Sequence, residues 1–202
     1  MAADYAQELP TPDEAWQRLL DGNARFVRGE SRFPSMPQEG FAELAKGQRP
    51  FAAILGCADS RVPPELIFGA GFGELFVVRV AGNAISPEVA GSLEYAGLHL
   101  HTPLLVVLGH EKCGAAGAAL ETKFHGSRHH SHIQVLVDGL LPALERVDEQ
   151  APPDRQLAQA VEANVRYTMA RILESQAGPV EGRMKLGGAI YEISTGRVRF
   201  LE

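Results

Sequence analysis

Short apolar runs alternate along the chain with longer segments whose apolar residues recur at helical spacing. The runs are continuously apolar or rich in β-branched residues, which is typical of strands buried on both faces. The predicted strands are 51–56, 74–80 and 103–109. The predicted helices are 86–101, a segment that begins near Gly114, 132–147 and 154–176.

Strands that alternate with helices predict a mainly parallel sheet with helices on both faces. The segment 185–201 reads as two further strands joined by a tight turn at Thr195 and Gly196. A tight turn makes the last strand antiparallel to its neighbour and places it at an edge. The predicted fold is therefore α/β, with four parallel strands, one antiparallel edge strand and flanking helices.

A separate amphipathic helix is predicted near the start of the chain. Thr11 can cap it, Pro12 suits its first turn and Glu14 can complete a capping box. The apolar spacing continues to about Gly29, and residues 30–50 are expected to form an extended connection. We expect residues 1–50 to be a helical arm and connector of the same domain as the α/β unit, 51–202.

The charge balance excludes some partners. Nineteen basic and 25 acidic residues give a net charge of −6, which argues against nucleic acid or an anionic membrane as the main partner. The apolar runs are far shorter than the ~20 residues of a membrane span. The first residues lack the basic and apolar regions of a secretory signal. We expect a cytoplasmic location.

The chain has two cysteines, Cys57 and Cys113. A cytoplasmic location disfavours a disulfide between them. Two inert buried thiols are the simplest alternative, because free cysteine often behaves as a small apolar residue. Both cysteines, however, come just after predicted buried strands.

His110 also follows the strand 103–109, three residues before Cys113. Sites in open parallel sheets form beyond the carboxyl ends of strands, where the winding direction reverses. If the strands 51–56 and 103–109 are adjacent, Cys57, Asp59, His110 and Cys113 converge there. Two thiolates and an imidazole suit zinc, with Asp59 as a weaker fourth ligand that water could displace.

Arg61 stands two residues after Asp59, so the two side chains can form a bidentate ion pair. In isolation such a pair is more often a solvated surface contact. Beside a candidate zinc site, it would hold the carboxylate away from the metal and direct it at a metal-bound water.

The segments "CADSR" and "GHEKCGA" make the chain resemble the β-class carbonic anhydrase family. The resemblance covers most of the chain, including "LLDGNARF", "KGQRPFAAILGCADSRVPPELIF", "ELFVVRVAGN", "SLEYAGLHL" and "GAIYEISTGRV". It implies a zinc enzyme that reversibly hydrates carbon dioxide to bicarbonate and a proton. The segment 51–202 would then be the zinc-binding catalytic domain.

The resemblance also implies roles for individual residues. Cys57, His110 and Cys113 would bind one Zn²⁺ per chain, with Asp59 as a conditional fourth ligand. Asp59 and Arg61 would be the catalytic dyad that orients a zinc-bound hydroxide. The positions that line the family's substrate pocket are matched here by Gln48, Phe76, Ala81, Tyr95 and Gly114.

The pocket of this family lies at a dimer interface, so the resemblance implies a homodimer or a tetramer in which the N-terminal arm wraps the neighbouring subunit. Simple core packing remains an alternative for Phe76 and Tyr95. Hydrolysis of carbonyl sulfide or carbon disulfide at the same site is a second possible activity. A non-enzymatic zinc protein with Asp59 as a permanent fourth ligand is a third reading.

The chain departs from relatives at two places. Many relatives carry an Asp-Gln pair where this chain has Gly69 and Ala70. Relatives that are regulated by a second bicarbonate site carry a tryptophan at the position of Ile54. Arg79 matches another part of that regulatory site, but without the tryptophan we do not expect the same regulation.

Overall fold

Five strands form a single sheet in the computed structural model, which describes residues 9–31, 37–175 and 184–201. The strands are β1 (Ala52–Gly56), β2 (Leu75–Arg79), β3 (Leu104–His110), β4 (Lys185–Tyr191) and β5 (Val198–Leu201). Their order across the sheet is β2-β1-β3-β4-β5. The first four are parallel and β5 pairs antiparallel with β4. The predicted fold class is confirmed.

Seven α-helices surround the sheet in the described ranges. They are α1 (Pro12–Val27), α2 (Gln38–Leu44), α3 (Pro64–Ile67), α4 (Pro87–Leu98), α5 (Gly114–His125), α6 (His132–Leu140) and α7 (Pro153–Glu174). Two 3-10 turns, Ala81–Asn83 and Leu141–Leu144, complete the regular structure. No helix in the described parts of the chain is long and apolar enough to cross a bilayer.

Strands β1 and β3 lie inside the sheet and belong to the hydrophobic core. Every residue of β1 and of β3 is buried, which explains why both read as continuously apolar in the sequence. At one edge, β2 is only half-buried except for the exposed Arg79. The carboxyl ends of β1 and β3 therefore lie side by side in the best-packed part of the fold.

Some local predictions were wrong. The connection 30–50 is not extended throughout, because it contains α2. The predicted helix 132–147 is α only to Leu140 and continues as a 3-10 turn, with Pro142 in its first positions. The short α3 was not predicted, although Pro64 occupies a favourable position in its first turn. The predicted helix 86–101 ends at Leu98.

The N-terminal helix packs against its own chain. Its Thr11 and Glu14 form the predicted capping box. Leu19 is fully buried, and the Trp16 ring lies 4.5 Å from the Phe200 ring, between ring centroids. Part of the apolar face of α1 is therefore covered by its own sheet. Contact of the arm with a neighbouring subunit stays a prediction.

Candidate metal centre

The winding direction of the sheet reverses between β1 and β3. The chain leaves β1 for β2 on one side of it and later returns to form β3 on the other side. Cys57 follows β1 directly, and His110 is the last residue of β3. The two strands are adjacent, which is the condition on which the sequence argument depended, so the residues that end them meet at the crevice where sites in such sheets form.

Cys57, His110 and Cys113 form a cluster whose three potential ligand atoms all lie within 4.8 Å of one another. All three side chains are at least 95% buried. Zinc binds sulfur at ~2.3 Å and imidazole nitrogen at ~2.0–2.1 Å, so tetrahedral ligand atoms lie a little under 4 Å apart. The cluster needs only a small contraction to hold zinc.

The imidazole of His110 is oriented for metal binding. Its Nδ1 lies 2.9 Å from the carbonyl oxygen of Glu111, a bond in which Nδ1 donates. That bond leaves Nε2 as the acceptor, and Nε2 is buried without a hydrogen-bond partner among the described residues. A buried nitrogen that lacks a partner is costly, and a metal ion would satisfy it.

The two thiols shift each other's pKa in opposite directions. A hydrogen bond from the Cys113 thiol lowers the pKa of Cys57 to about 4. The same bond and burial raise the pKa of Cys113, because its ionisation would place two thiolates side by side. Burial by itself lowers the pKa of His110, but the adjacent Cys57 sulfur outweighs burial and raises it. A divalent cation would stabilise both thiolates.

Asp59 is bound to Arg61 on both carboxylate oxygens. Arg61 donates from Nε to Oδ1 at 2.9 Å and from Nη2 to Oδ2 at 2.7 Å, and its backbone N–H also donates to Oδ1 at 2.9 Å. These bonds lower the pKa of Asp59 far below its ordinary value. Asp59 Oδ2 lies 4.0 Å from His110 Nε2, so the carboxylate borders the cluster.

Arg79 holds the backbone of the segment that carries these residues. Its Nε donates to the carbonyl oxygen of Cys57 at 2.9 Å, and its Nη2 donates to that of Asp59. Here two of its donors are used on the loop that follows β1, a role that the sequence alone did not indicate.

Backbone N–H groups surround the Cys57 sulfur. Gly82 donates to it at 3.3 Å and Asp59 at 3.4 Å. Such bonds stabilise a thiolate. Gly82 was not among the residues predicted for the site, because nothing in a single sequence distinguishes a glycine that approaches a sulfur from one in an ordinary turn.

The five predicted pocket positions are not gathered in one place by the described contacts. The Phe76 and Tyr95 rings lie 6.3 Å apart, and Tyr95 is 46% exposed. Ala81 is half-buried in the turn before α4, whereas Gln48 and Gly114 are exposed.

Comparison with known proteins agrees with this geometry. A family model described as carbonic anhydrase matches residues 52–198. Carbonic anhydrase 2 of Mycobacterium tuberculosis is 42% identical over 191 residues, covering 92% of this chain and 91% of the relative. A carbonic anhydrase of Mycolicibacterium smegmatis is 40% identical over 195 residues, covering 93% and 92%.

The fold is also found among solved structures. A structure from a study of two tetrameric β-carbonic anhydrases of the fungus Sordaria macrospora superposes with a TM-score of 0.74. It is 24% identical and covers 93% of this chain and 97% of that one. The chain belongs to the β-class carbonic anhydrase family, and it is a zinc-dependent enzyme of that family.

Proposed function

We propose that this chain catalyses the reversible hydration of carbon dioxide to bicarbonate and a proton at the Cys57, His110 and Cys113 cluster. The observation that carries the proposal is the position of Asp59, which borders the cluster while Arg61 binds both of its oxygens. A zinc ion held by the three side chains would lower the pKa of a bound water to ~7 and so supply a nucleophile near neutrality.

Asp59 and Arg61 would act together as the dyad. An ionised carboxylate that is held by a guanidinium can accept a hydrogen bond without becoming a metal ligand. Asp59 would accept the hydrogen of the nucleophile and orient its lone pair towards carbon dioxide. Arg61 also donates to the carbonyl oxygen of Lys112 at 3.3 Å, which ties the dyad to the loop between His110 and Cys113.

Phe76 and Tyr95 would line the pocket of a second subunit. Phe76 pairs with Ala53 in the sheet, four residues before Cys57. At ~3.3 Å per strand residue, this separation places the Phe76 backbone more than ~10 Å from its own metal cluster. We therefore infer that Phe76 and Tyr95 lie beside the metal cluster of a partner chain, not beside that of their own chain.

An assembly of at least two chains is accordingly part of the proposal. The half-buried strand β2 and the exposed rings of Phe72 and Tyr95 offer apolar surface near that edge of the sheet. The related Sordaria proteins are described as tetrameric. We infer a homodimer or a tetramer, with Gln48, Ala81 and Gly114 completing the pocket.

The division of the chain is also a proposal. The match of the family model to residues 52–198 supports a catalytic domain at 51–202 with residues 1–50 as its arm and connector. The structure describes neither residues 1–8 nor residues 32–36 of that arm. The cytoplasmic location stays a prediction.

Stopped-flow hydration of carbon dioxide by the zinc-loaded protein tests the function. We expect a rate well above that of buffer at pH 8.5. No acceleration with zinc bound would overturn the proposal. Release of sulfide from carbonyl sulfide, measured on the same preparation, distinguishes carbon dioxide hydration from carbonyl sulfide hydrolysis. An enzyme specific for the sulfur compound would release sulfide faster than it hydrates carbon dioxide.

The state of Asp59 has its own test. Cobalt-substituted protein, followed by absorption between pH 6.5 and 9, reports whether the fourth ligand exchanges. A coordination sphere that is constant across this range, together with an absence of hydration, would favour a closed site with Asp59 bound to the metal.

A further inference from the structure

The turn Ala81–Asn83 borders the metal centre and has an unusual backbone. Its φ angles are +68° at Gly82 and +43° at Asn83. A Cβ on Gly82 would lie 2.8 Å from Leu140 Cδ2 and 3.0 Å from Ala115 Cβ. Glycine adopts this region freely, but the non-glycine Asn83 is strained there and persists where contacts from other elements hold it.

Those contacts come from α7. Asn164 donates from Nδ2 to the carbonyl oxygen of Gly82 at 2.7 Å, and Thr168, one helical turn later, donates to that of Asn83 at 3.4 Å. Both side chains are buried. The helix therefore binds two successive carbonyls of the turn from the interior of the protein.

Small residues in the sheet allow α7 to come this close. A Cβ on Gly109 would lie 2.6 Å from Val165 Cγ2, and one on Gly188 would lie 2.6 Å from Met169 Sδ. Larger residues at either position would displace the helix. Two glycines thus place Asn164 within hydrogen-bond reach of the turn.

Gly82, whose carbonyl oxygen Asn164 binds, also contacts the sulfur of Cys57. The N–H of Gly82 donates to Cys57 Sγ, so a shift of Gly82 would lengthen that bond. Partners that hydrogen-bond to a metal ligand affect metal affinity by about 10- to 100-fold when they are removed. Asn164 does not contact the sulfur itself, but it hydrogen-bonds to Gly82, the residue that does.

We propose that Asn164 is a positioning residue for the zinc site, because it holds Gly82 where its N–H meets the Cys57 sulfur. The proposal rests on the zinc site and not on the reaction catalysed there. It can therefore fail while carbon dioxide hydration stands.

Zinc affinity in competition with a chromophoric chelator tests the proposal. Asn164→Ala should raise the zinc dissociation constant of the protein about 10-fold. In cobalt-substituted protein, the thiolate-to-cobalt charge-transfer band should move to lower energy, because the sulfur loses part of a hydrogen bond that stabilised its electrons. Unfolding by denaturant, measured in parallel, separates these effects from general destabilisation.

Asn23 provides a matched control. It is also a buried helical asparagine, on α1, and it donates from Nδ2 to the carbonyl oxygen of Gly196 at 2.9 Å instead of to the turn Ala81–Asn83. Asn23→Ala should lower stability but leave both the zinc dissociation constant and the cobalt band unchanged.

Equal behaviour of the two variants would overturn the role of Asn164, whether both keep zinc affinity or both lose it. If Asn164→Ala does not fold, Asn164→Leu retains most of the side-chain volume without the donor and is held to the same criteria. Wild-type protein that fails to bind zinc would instead overturn the metal site itself.

Discussion

The guanidinium of Arg61 binds both carboxylate oxygens of Asp59, at 2.9 Å from Nε to Oδ1 and 2.7 Å from Nη2 to Oδ2. The pair is two residues apart in the sequence, so it forms within one loop. Because Asp59 also borders the metal cluster, the bond decides whether its oxygens face the arginine or a cation. In this structure they are engaged by the arginine.

Asp59→Asn should reduce carbon dioxide hydration by about 100-fold or more, since an amide cannot pair with Arg61 on both atoms or accept from the nucleophile in the same way. Zinc content, measured by elemental analysis, should stay at one ion per chain. Glu65→Gln, at an exposed carboxylate on α3, is the control and should change neither quantity. An Asp59→Asn variant with full activity would remove Asp59 from the mechanism.

Cys57→Ser should purify with only a small fraction of one zinc ion per chain. A serine hydroxyl is not ionised near neutrality and is a poor zinc ligand compared with a thiolate. Elemental analysis after dialysis against a chelator measures the loss, with wild-type protein treated in parallel. Full zinc occupancy in the variant would show that Cys57 is not a ligand.

Gly22→Ala should destabilise the protein by about 1–3 kcal/mol, because a Cβ at this position would lie 2.0 Å from the Phe68 carbonyl oxygen and force α1 away from the loop after α3. Chemical denaturation measures the change. Gly91→Ala in α4 meets nothing within 4 Å and should be neutral or stabilising by ~0.5–1 kcal/mol. Equal effects would mean that α1 does not dock as described.

Glu162 should make stability depend on pH in the acid range. Hydrogen bonds from Arg166 and Arg199, at 2.9 and 3.1 Å, lower the pKa of Glu162 below its ordinary 4.5. Because the folded pKa is the lower one, the stabilisation is present above pH 4.5 and is lost as pH falls through the folded value.

Glu162→Gln should therefore cost about 0.3–1 kcal/mol at pH 7, an amount typical of partly exposed ion pairs. The difference from wild type should shrink progressively as pH falls below 4.5. Denaturant unfolding of both proteins from pH 3 to 7 measures it. Glu145→Gln, at an exposed glutamate outside the described salt bridges, is the control. A difference that is constant with pH would exclude the ionic contribution.

Local patterns determined most of the fold. Continuous apolar runs identified β1 and β3, because a strand that is buried on both faces carries apolar residues at every position. Capping residues located the start of α1, and a tight turn made β5 antiparallel. The short helices α2 and α3 escaped prediction because four to seven residues give too little periodicity to distinguish a helix from a loop.

The candidate metal ligands could also be named from the sequence, because Cys57, His110 and Cys113 come at or just after the ends of two apolar strands, and the structure brings them together. The adjacency of those strands had to be assumed. Only the tertiary structure decided what holds the ligands. Arg79 and Gly82 reach the loop after β1 from β2 and from the turn that follows it. Asn164 holds that turn from α7 and is 82 residues from the Gly82 carbonyl that it binds. Such contacts depend on how close a helix and a turn approach in space, and no spacing along the chain encodes that distance.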